Sequence, residues 1–288
     1  MRASVIQIEA SADKAANITA AASLIEASVS ADRPNLISLP EMWSCLGGDR
    51  ATKLAAGESL PQPGGSDDTP RAAYDFLRDT ARRHGVTVHG GSIGERVGDK
   101  LFNTSLVFAP DGREIARYRK IHLFDVTTPN GQGYRESAMF GAGDAVVTCE
   151  AAGVTCGLAI CYDVRFPELF LALRRAGAVL IFLPAAFTAE TGRDHWEVLL
   201  RARAIETQCW IAAAATTGAH ADARGQARET YGHSMIVSPW GHVVGQLAAA
   251  PGHLTADIDQ AVTARVRAAM PVLEHRRLDL IARAERAA

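Results

Sequence analysis

Charge of one sign, long apolar runs and paired cysteines are all scarce in this sequence. Its 30 Lys and Arg nearly balance 32 Asp and Glu, leaving a formal charge of −2. That excludes the basic field which general nucleic-acid or anionic-membrane binding requires. The most apolar stretch, residues 178–186, falls far short of the ~18–20 residues of a spanning helix and contains Pro184. The N-terminal run MRASVIQIE is interrupted by charge too early for a signal sequence and reads as a first strand. Cys45, Cys149, Cys156, Cys161 and Cys209 are an odd set with no C-x-x-C pair, so neither a disulfide framework nor a structural zinc site is expected. The histidines include no HExxH pattern. These absences predict a soluble protein of the reducing cytoplasm. No nucleic-acid or membrane partner, no metal and no cofactor are expected.

What is present is enough apolar residue for a large core: 48% of 288 residues. Strand-like and helix-like segments alternate. Residues 4–8, 36–39, 86–93, 104–108 and 114–121 read as strands, as do 154–161, 178–183, 210–215, 231–237, 243–247 and 253–258. Helical patterns cover 13–29, with Ile18, Ala22, Ile25 and Val29 on one face, and 68–84, with Pro70 in the first turn and Gly85 as the stop. Further helices are expected over 166–176, 194–207 and after residue 260. Residues 44–67, 125–135 and 218–229 read as long irregular loops, and such loops in compact proteins are usually functional or disordered. No linker separates two cores. One α/β domain over 1–288 is expected, its core spanning about 1–260 and its C-terminal helix and tail about 261–288.

Three segments end β-type runs with reactive side chains: Glu41 in LPEMW, Lys120 in YRKIH and Cys161 in AICYDVR. A thiol, a carboxylate and an ammonium are sufficient parts for acyl transfer through a thioester. Cys161 lies between a strand and a helix start at Phe166 and Pro167, where α/β proteins place ligands and where nearby N–H groups favour a thiolate. Taken singly, each residue also has an ordinary reading: a core cysteine, a solvated strand end, a solvated lysine. Periodicity alone does not single them out.

A longer set of segments does. LPEMW (39–43), YRKIHLFD (118–125), RES (135–137), GLAICYDVRFPEL (157–169), HWEVLLRARAIETQC (195–209), YGHSMIVSPWG (231–241) and MPVLEHRRLDL (270–280) resemble the nitrilase superfamily of carbon–nitrogen hydrolases along nearly the whole chain. The resemblance implies an α/β fold of four layers, an α-β-β-α sandwich, which associates as a homodimer. It implies Cys161 as nucleophile, Glu41 as general base and then acid, and Lys120 with the Tyr162 backbone N–H as oxyanion donors. Glu136 would position the substrate and the proton network, and Lys⁺ beside the thiol would lower its pKa. The nearest similarity is to the Nit branch, which implies an amidase acting on a small-molecule substrate, deaminated glutathione. An ω-amidase acting on α-ketoglutaramate or α-ketosuccinamate, an N-carbamoyl or nitrile hydrolase, and a catalytically silent scaffold are the alternatives. Arg165 is a candidate for pairing a substrate carboxylate, with pairing to Glu168 or Asp163 as its ordinary reading. Phe187 and Thr191 are candidates for the pocket wall.

Overall fold

The computed structural model describes residues 1–62, 69–128, 131–221, 227–277 and 280. In chain order the first half runs β1 (Arg2–Gln7), α1 (Lys14–Asp32), β2 (Leu36–Ser38), α2 (Arg50–Ala56), α3 (Ala72–His84), β3 (Thr87–His89), β4 (Ile93–Val97), β5 (Lys100–Phe108), β6 (Glu114–Arg119), β7 (Asp125–Thr127), β8 (Gly133–Arg135) and β9 (Phe140–Gly141). The second half runs β10 (Thr148–Ala151), β11 (Val154–Leu158), α4 (Pro167–Arg175), β12 (Leu180–Phe182), α5 (Ala189–Thr207), β13 (Trp210–Ala213), β14 (Thr217–Ala221), β15 (Ala227–Tyr231), β16 (Met235–Val237), β17 (Val243–Gln246), β18 (Gly252–Asp257) and α6 (Gln260–Ala269).

Two mixed sheets result, in the expected α/β class. One has the order β18-β1-β2-β3-β5-β4, with β6 and β9 also paired to β5; the other has the order β10-β11-β12-β13-β16-β17. The period of two along each strand assigns its side chains to layers. Ala3, Val5, Leu36 and Val107 share one core with Leu158, Ile181 and Ile211 of the second sheet. Their neighbours Ile6, Ile37, Leu106 and Phe108 instead pack outward with Ala21 and Ile25 of α1 and Leu77 of α3. The sheets therefore lie face to face, and the His89 ring of β3 stacks on Phe182 of β12 at 4.1 Å. Leu173 of α4 with Trp196 and Leu200 of α5 cover the second sheet. Among the described residues no helix is long and apolar enough to cross a membrane.

Several expectations are corrected in detail. The buried line of α1 is Asn17, Ala21, Ile25 and Ser28; it shares Ile25 with the face read from sequence, while Ile18 and Val29 are only partly buried against the same core. Its polar members are satisfied: Asn17 donates to the Ser11 and Ser44 carbonyls, and Ser28 bonds Ser4 at 2.7 Å. Pro70 precedes the N-cap of α3 and is not in its first turn, and Asp68 lies outside the described residues. The exposed donors of α3 are capped from a distance, because both oxygens of buried Glu58 accept from the Ala73 and Tyr74 N–H groups. Residues 86–93 form two strands, not one. The three expected loops carry structure where they are described: α2 in the first, the β7–β8 hairpin in the second, and the β14–β15 hairpin in the third. Residues 63–67, 129–130 and 222–226 of those loops, and 278–279 and 281–288 of the C-terminal region, lie outside the described set.

In the first sheet β1, β2 and β3 are parallel, as are β11, β12 and β13 in the second. The carboxyl ends of β2, β11 and β12 lead into the segments of Glu41, Cys161 and Ala186, which is where open α/β sheets form crevices.

Candidate active site

Glu41 stands on a turn held against its neighbours. Leu39 N–H donates to His89 O at 3.0 Å, Ser92 N–H to Pro40 O at 3.1 Å, and Met42 N–H to Ser92 Oγ at 3.0 Å. Gly91, at φ +59°, makes this crossing possible, since a Cβ there would sit 2.0 Å from Pro40 O. Lys120 directly follows β6, its N–H donating to Asn103 O at 2.9 Å. Cys161 follows β11 and opens a 3₁₀ turn, Cys161–Arg165, with its own φ at +47°. Its N–H donates to Pro184 O at 2.9 Å, which ties it to the chain leaving β12. A left-handed conformation costs a non-glycine residue about 1–2 kcal/mol, and such strain concentrates at functional sites.

These turns bring Glu41, Lys120, Glu136 and Cys161 together on the wall of one cavity of about 470 Å³. Glu41 Oε1 accepts from Lys120 Nζ at 3.0 Å and Asn103 Nδ2 at 2.8 Å; Oε2 accepts from the Ala186 N–H at 2.7 Å. The Cys161 thiol and the same carboxylate face one cavity, close enough for the Glu41 charge to act on the thiol. Lys120 Nζ also donates to Glu136 at 2.9 and 3.2 Å, and Glu136 Oε2 accepts from the Phe124 N–H at 2.7 Å. Cys161 remains 8% exposed, so its sulfur reaches the cavity, while Lys120 is nearly enclosed. Tyr162, Phe187 and Thr191 also line this cavity.

Burial and then the Glu41 charge push the Cys161 thiol well above its usual range, and Lys120 only partly opposes them. The expected Lys-lowered thiolate is thereby corrected: in a low-dielectric pocket a new anion beside a carboxylate is disfavoured. Burial also works against the Lys120 ammonium, but the charges of Glu136 and Glu41 outweigh it and hold its pKa well above normal. The resting site thus pairs a protonated thiol with a hydrogen-bonded carboxylate and a fixed cation. That set can move one proton from sulfur to carboxylate and receive a developing oxyanion.

Arg165 is placed differently from the sequence expectation. It is absent from the cavity lining, bonds His195 Nδ1 at 3.3 Å, and lies 5.4 Å from the Phe187 ring centroid. Neither Glu168 nor Asp163 pairs with it; Asp163 is bonded to His122 instead. Besides Lys120, the cavity is lined by Arg50, Lys53, Arg135 and Arg228, none of which the sequence analysis put forward as a substrate-binding residue. Asn103 also escaped notice, because Asn103-Thr104-Ser105 reads only as a glycosylation triplet. Its amide in fact bridges the carboxylates of Glu41 and Glu136, at 2.8 and 3.3 Å. Trp196 is fully buried, donating to His233 O, and Phe187 packs on it at 5.1 Å.

Residues 2–268 match the family described as carbon–nitrogen hydrolase. A deaminated glutathione amidase from Synechocystis sp. is 40% identical over 280 residues, spanning 95% of this chain and 97% of its own length. The omega-amidase NIT2 of Mus musculus is 35% identical over 97% of this chain and 96% of its own. The crystal structure of the C. elegans NitFhit protein superposes with a TM-score of 0.85 at 36% identity over 97% of this chain, which spans 65% of that longer one.

Proposed function

This chain belongs to the carbon–nitrogen hydrolase family, on the Nit branch of the nitrilase superfamily, and from that membership we propose how it hydrolyses its amide. Cys161 is the nucleophile, Glu41 the proton carrier and Lys120 the oxyanion cation. The observation that carries this reading is the convergence of Cys161 with Glu41 and Lys120 on one cavity wall, the carboxylate held by Lys120 Nζ at 3.0 Å. As the substrate carbonyl enters, Glu41 takes the thiol proton and the sulfur attacks the carbon. Negative charge then moves onto the carbonyl oxygen, where Lys120 and the Tyr162 N–H receive it. Glu41 passes its proton to the nitrogen as the C–N bond breaks, leaving a thioester; it next draws a proton from the attacking water and returns it to the Cys161 sulfur as the C–S bond breaks, releasing the acid. Glu136 keeps Lys120 charged and in place, so that the cation is preorganised before charge develops.

Deaminated glutathione is the proposed substrate. It is an extended acid with a carboxylate at each end, suited to a cavity of about 470 Å³ that Arg50, Lys53, Arg135 and Arg228 line along with Lys120. Its amide would break to α-ketoglutarate and cysteinylglycine. α-Ketoglutaramate carries only one of those carboxylates and would leave the outer cavity unfilled. Similarity to the mouse omega-amidase favours it as the second reading. Both substrates yield α-ketoglutarate, so one coupled assay compares them. We expect kcat/KM for deaminated glutathione to be at least ~10-fold higher, about 1.4 kcal/mol of differential transition-state binding. An equal or reversed preference assigns the pocket to the ω-amidase reaction.

The same membership supports a homodimer. Val198 and Ile205, two turns apart on α5, are 66% and 51% exposed, and Trp240 is 49% exposed. Ile205 lies against Gly241 beside that tryptophan, and Arg201 of the same helix donates to Gly241 O, so α5 and this turn form one surface with exposed apolar side chains. Exposed apolar side chains gathered in this way suit an association surface. Sedimentation velocity on the wild type is expected to give a dimer, and Val198→Glu with Ile205→Glu a monomer. A monomeric wild type would remove the proposal.

A further inference from the structure

The catalytic reading leaves unexplained how the nucleophile keeps its distance from the oxyanion cation. Cys161 and Lys120 follow strands of different sheets, Lys120 directly after β6 and Cys161 at the start of the 3₁₀ turn beyond β11. Asp163, fully buried two residues after Cys161, joins them. Its Oδ2 accepts from the Ile160 N–H at 2.8 Å and from Tyr118 Oη at 2.7 Å. Its Oδ1 accepts from the His122 N–H at 3.1 Å and bonds His122 Nδ1 at 2.7 Å. Ile160 immediately precedes the nucleophile. Tyr118 and His122 stand two residues to either side of Lys120.

Four contacts occupy the roughly four acceptor directions of a carboxylate. None of the four comes from Lys or Arg; among the described residues the ion-pair partner is His122. The turn is closed locally by Asp163 N–H donating to Ile160 O at 3.0 Å, and the His122 ring stacks on Phe166 at 3.7 Å. Tyr118 Oη in addition accepts from the Ile121 N–H at 3.3 Å, so the phenol is fixed on the Lys120 side as well. A merely structural carboxylate would need satisfied partners, but nothing would require those partners to flank both reacting groups.

We propose that Asp163 is a positioning residue, setting the separation of Cys161 Sγ and Lys120 Nζ through Ile160 on one side and Tyr118 and His122 on the other. The inference rests on the thioester reading above. A displacement of ~1 Å between reacting groups typically costs ~10²-fold in rate. The cost falls on the transition state, in which sulfur and oxyanion are both engaged, and not on binding of the substrate's remote parts.

Two variants test it: Asp163→Asn, which places an amide donor against existing donors, and Tyr118→Phe, which deletes one contact and keeps the ring. kcat per folded enzyme is expected to fall about 10²-fold in the first and about 10-fold in the second, with KM within ~3-fold. An aldehyde analogue of the substrate, which adds Cys161 to its carbonyl and puts the resulting oxyanion on Lys120, should weaken by the same factors as kcat/KM. The product α-ketoglutarate should bind each variant as it binds wild type. The proposal is overturned if the melting temperature falls while kcat of the folded fraction holds, or if aldehyde and product weaken together. Should Asp163→Asn not fold, Tyr118→Phe alone decides by these criteria. Indifference of the wild type to the aldehyde would instead remove the thioester reading on which the tie depends.

Discussion

Cys161→Ala is expected to abolish turnover, by about 10⁴-fold or more, with the melting temperature unchanged or raised. Removing a nucleophile leaves only whatever binding and the oxyanion donors supply without covalent chemistry. Cys161→Ser should be nearly as inactive, since a hydroxyl is harder to deprotonate than a thiol and Glu41 has no cationic partner to spare. The raised thiol pKa adds a test with a definite sign. Below the ordinary thiol range of about 8.5, the resting enzyme holds almost no thiolate. Iodoacetamide should therefore alkylate Cys161 slowly at pH 6–7, and faster only as pH rises beyond that range. Amide hydrolysis should nonetheless run at neutral pH, because Glu41 removes the proton during attack. Rapid alkylation at pH 6 would show a preformed thiolate and contradict the proton-transfer scheme.

Lys120→Met is expected to damage both rate and stability. Loss of one oxyanion donor typically costs ~10²–10³ in kcat, about 2.7–4 kcal/mol. The same change leaves Glu41 and Glu136 facing each other in a nearly closed space without a cation between them. Breaking one side of a buried ion pair costs ~3–5 kcal/mol of folding stability. Adding Glu136→Gln removes one uncompensated charge and should return much of that stability, measured by urea denaturation, while kcat stays low. Arginine at position 120 should not restore kcat, as its planar guanidinium cannot occupy the site of a compact ammonium. Full activity in Lys120→Met would eliminate the cation's part in the mechanism.

The residues proposed to carry the chemistry were more legible in the sequence than their supports. Glu41, Lys120, Glu136 and Cys161 lie in short ordered segments that carry the family resemblance, and the structure gathers them on one cavity wall. Asn103 and Asp163 matter through partners 33 to 62 and 41 to 45 residues away, a separation no local pattern encodes. The alternation of strand and helix predicted the α/β class because period-two burial is local. The polar members of the buried line of α1 were hidden because Asn17 and Ser28 are satisfied by residues outside the helix. The β14–β15 hairpin was hidden by its polar, largely exposed sequence, which has no apolar face to reveal an alternation. Arg165 shows the opposite error: proximity to the nucleophile in sequence does not put a side chain in its cavity.

The left-handed backbone at Cys161 has a bearing on laboratory evolution. A selection for heat resistance alone would find glycine at this position attractive, since it relaxes the torsion at the loss of one small side chain. The winners of such a screen would be sturdier proteins that have forgotten their chemistry. Any library meant to toughen this chain should hold that codon fixed and look for its gains elsewhere.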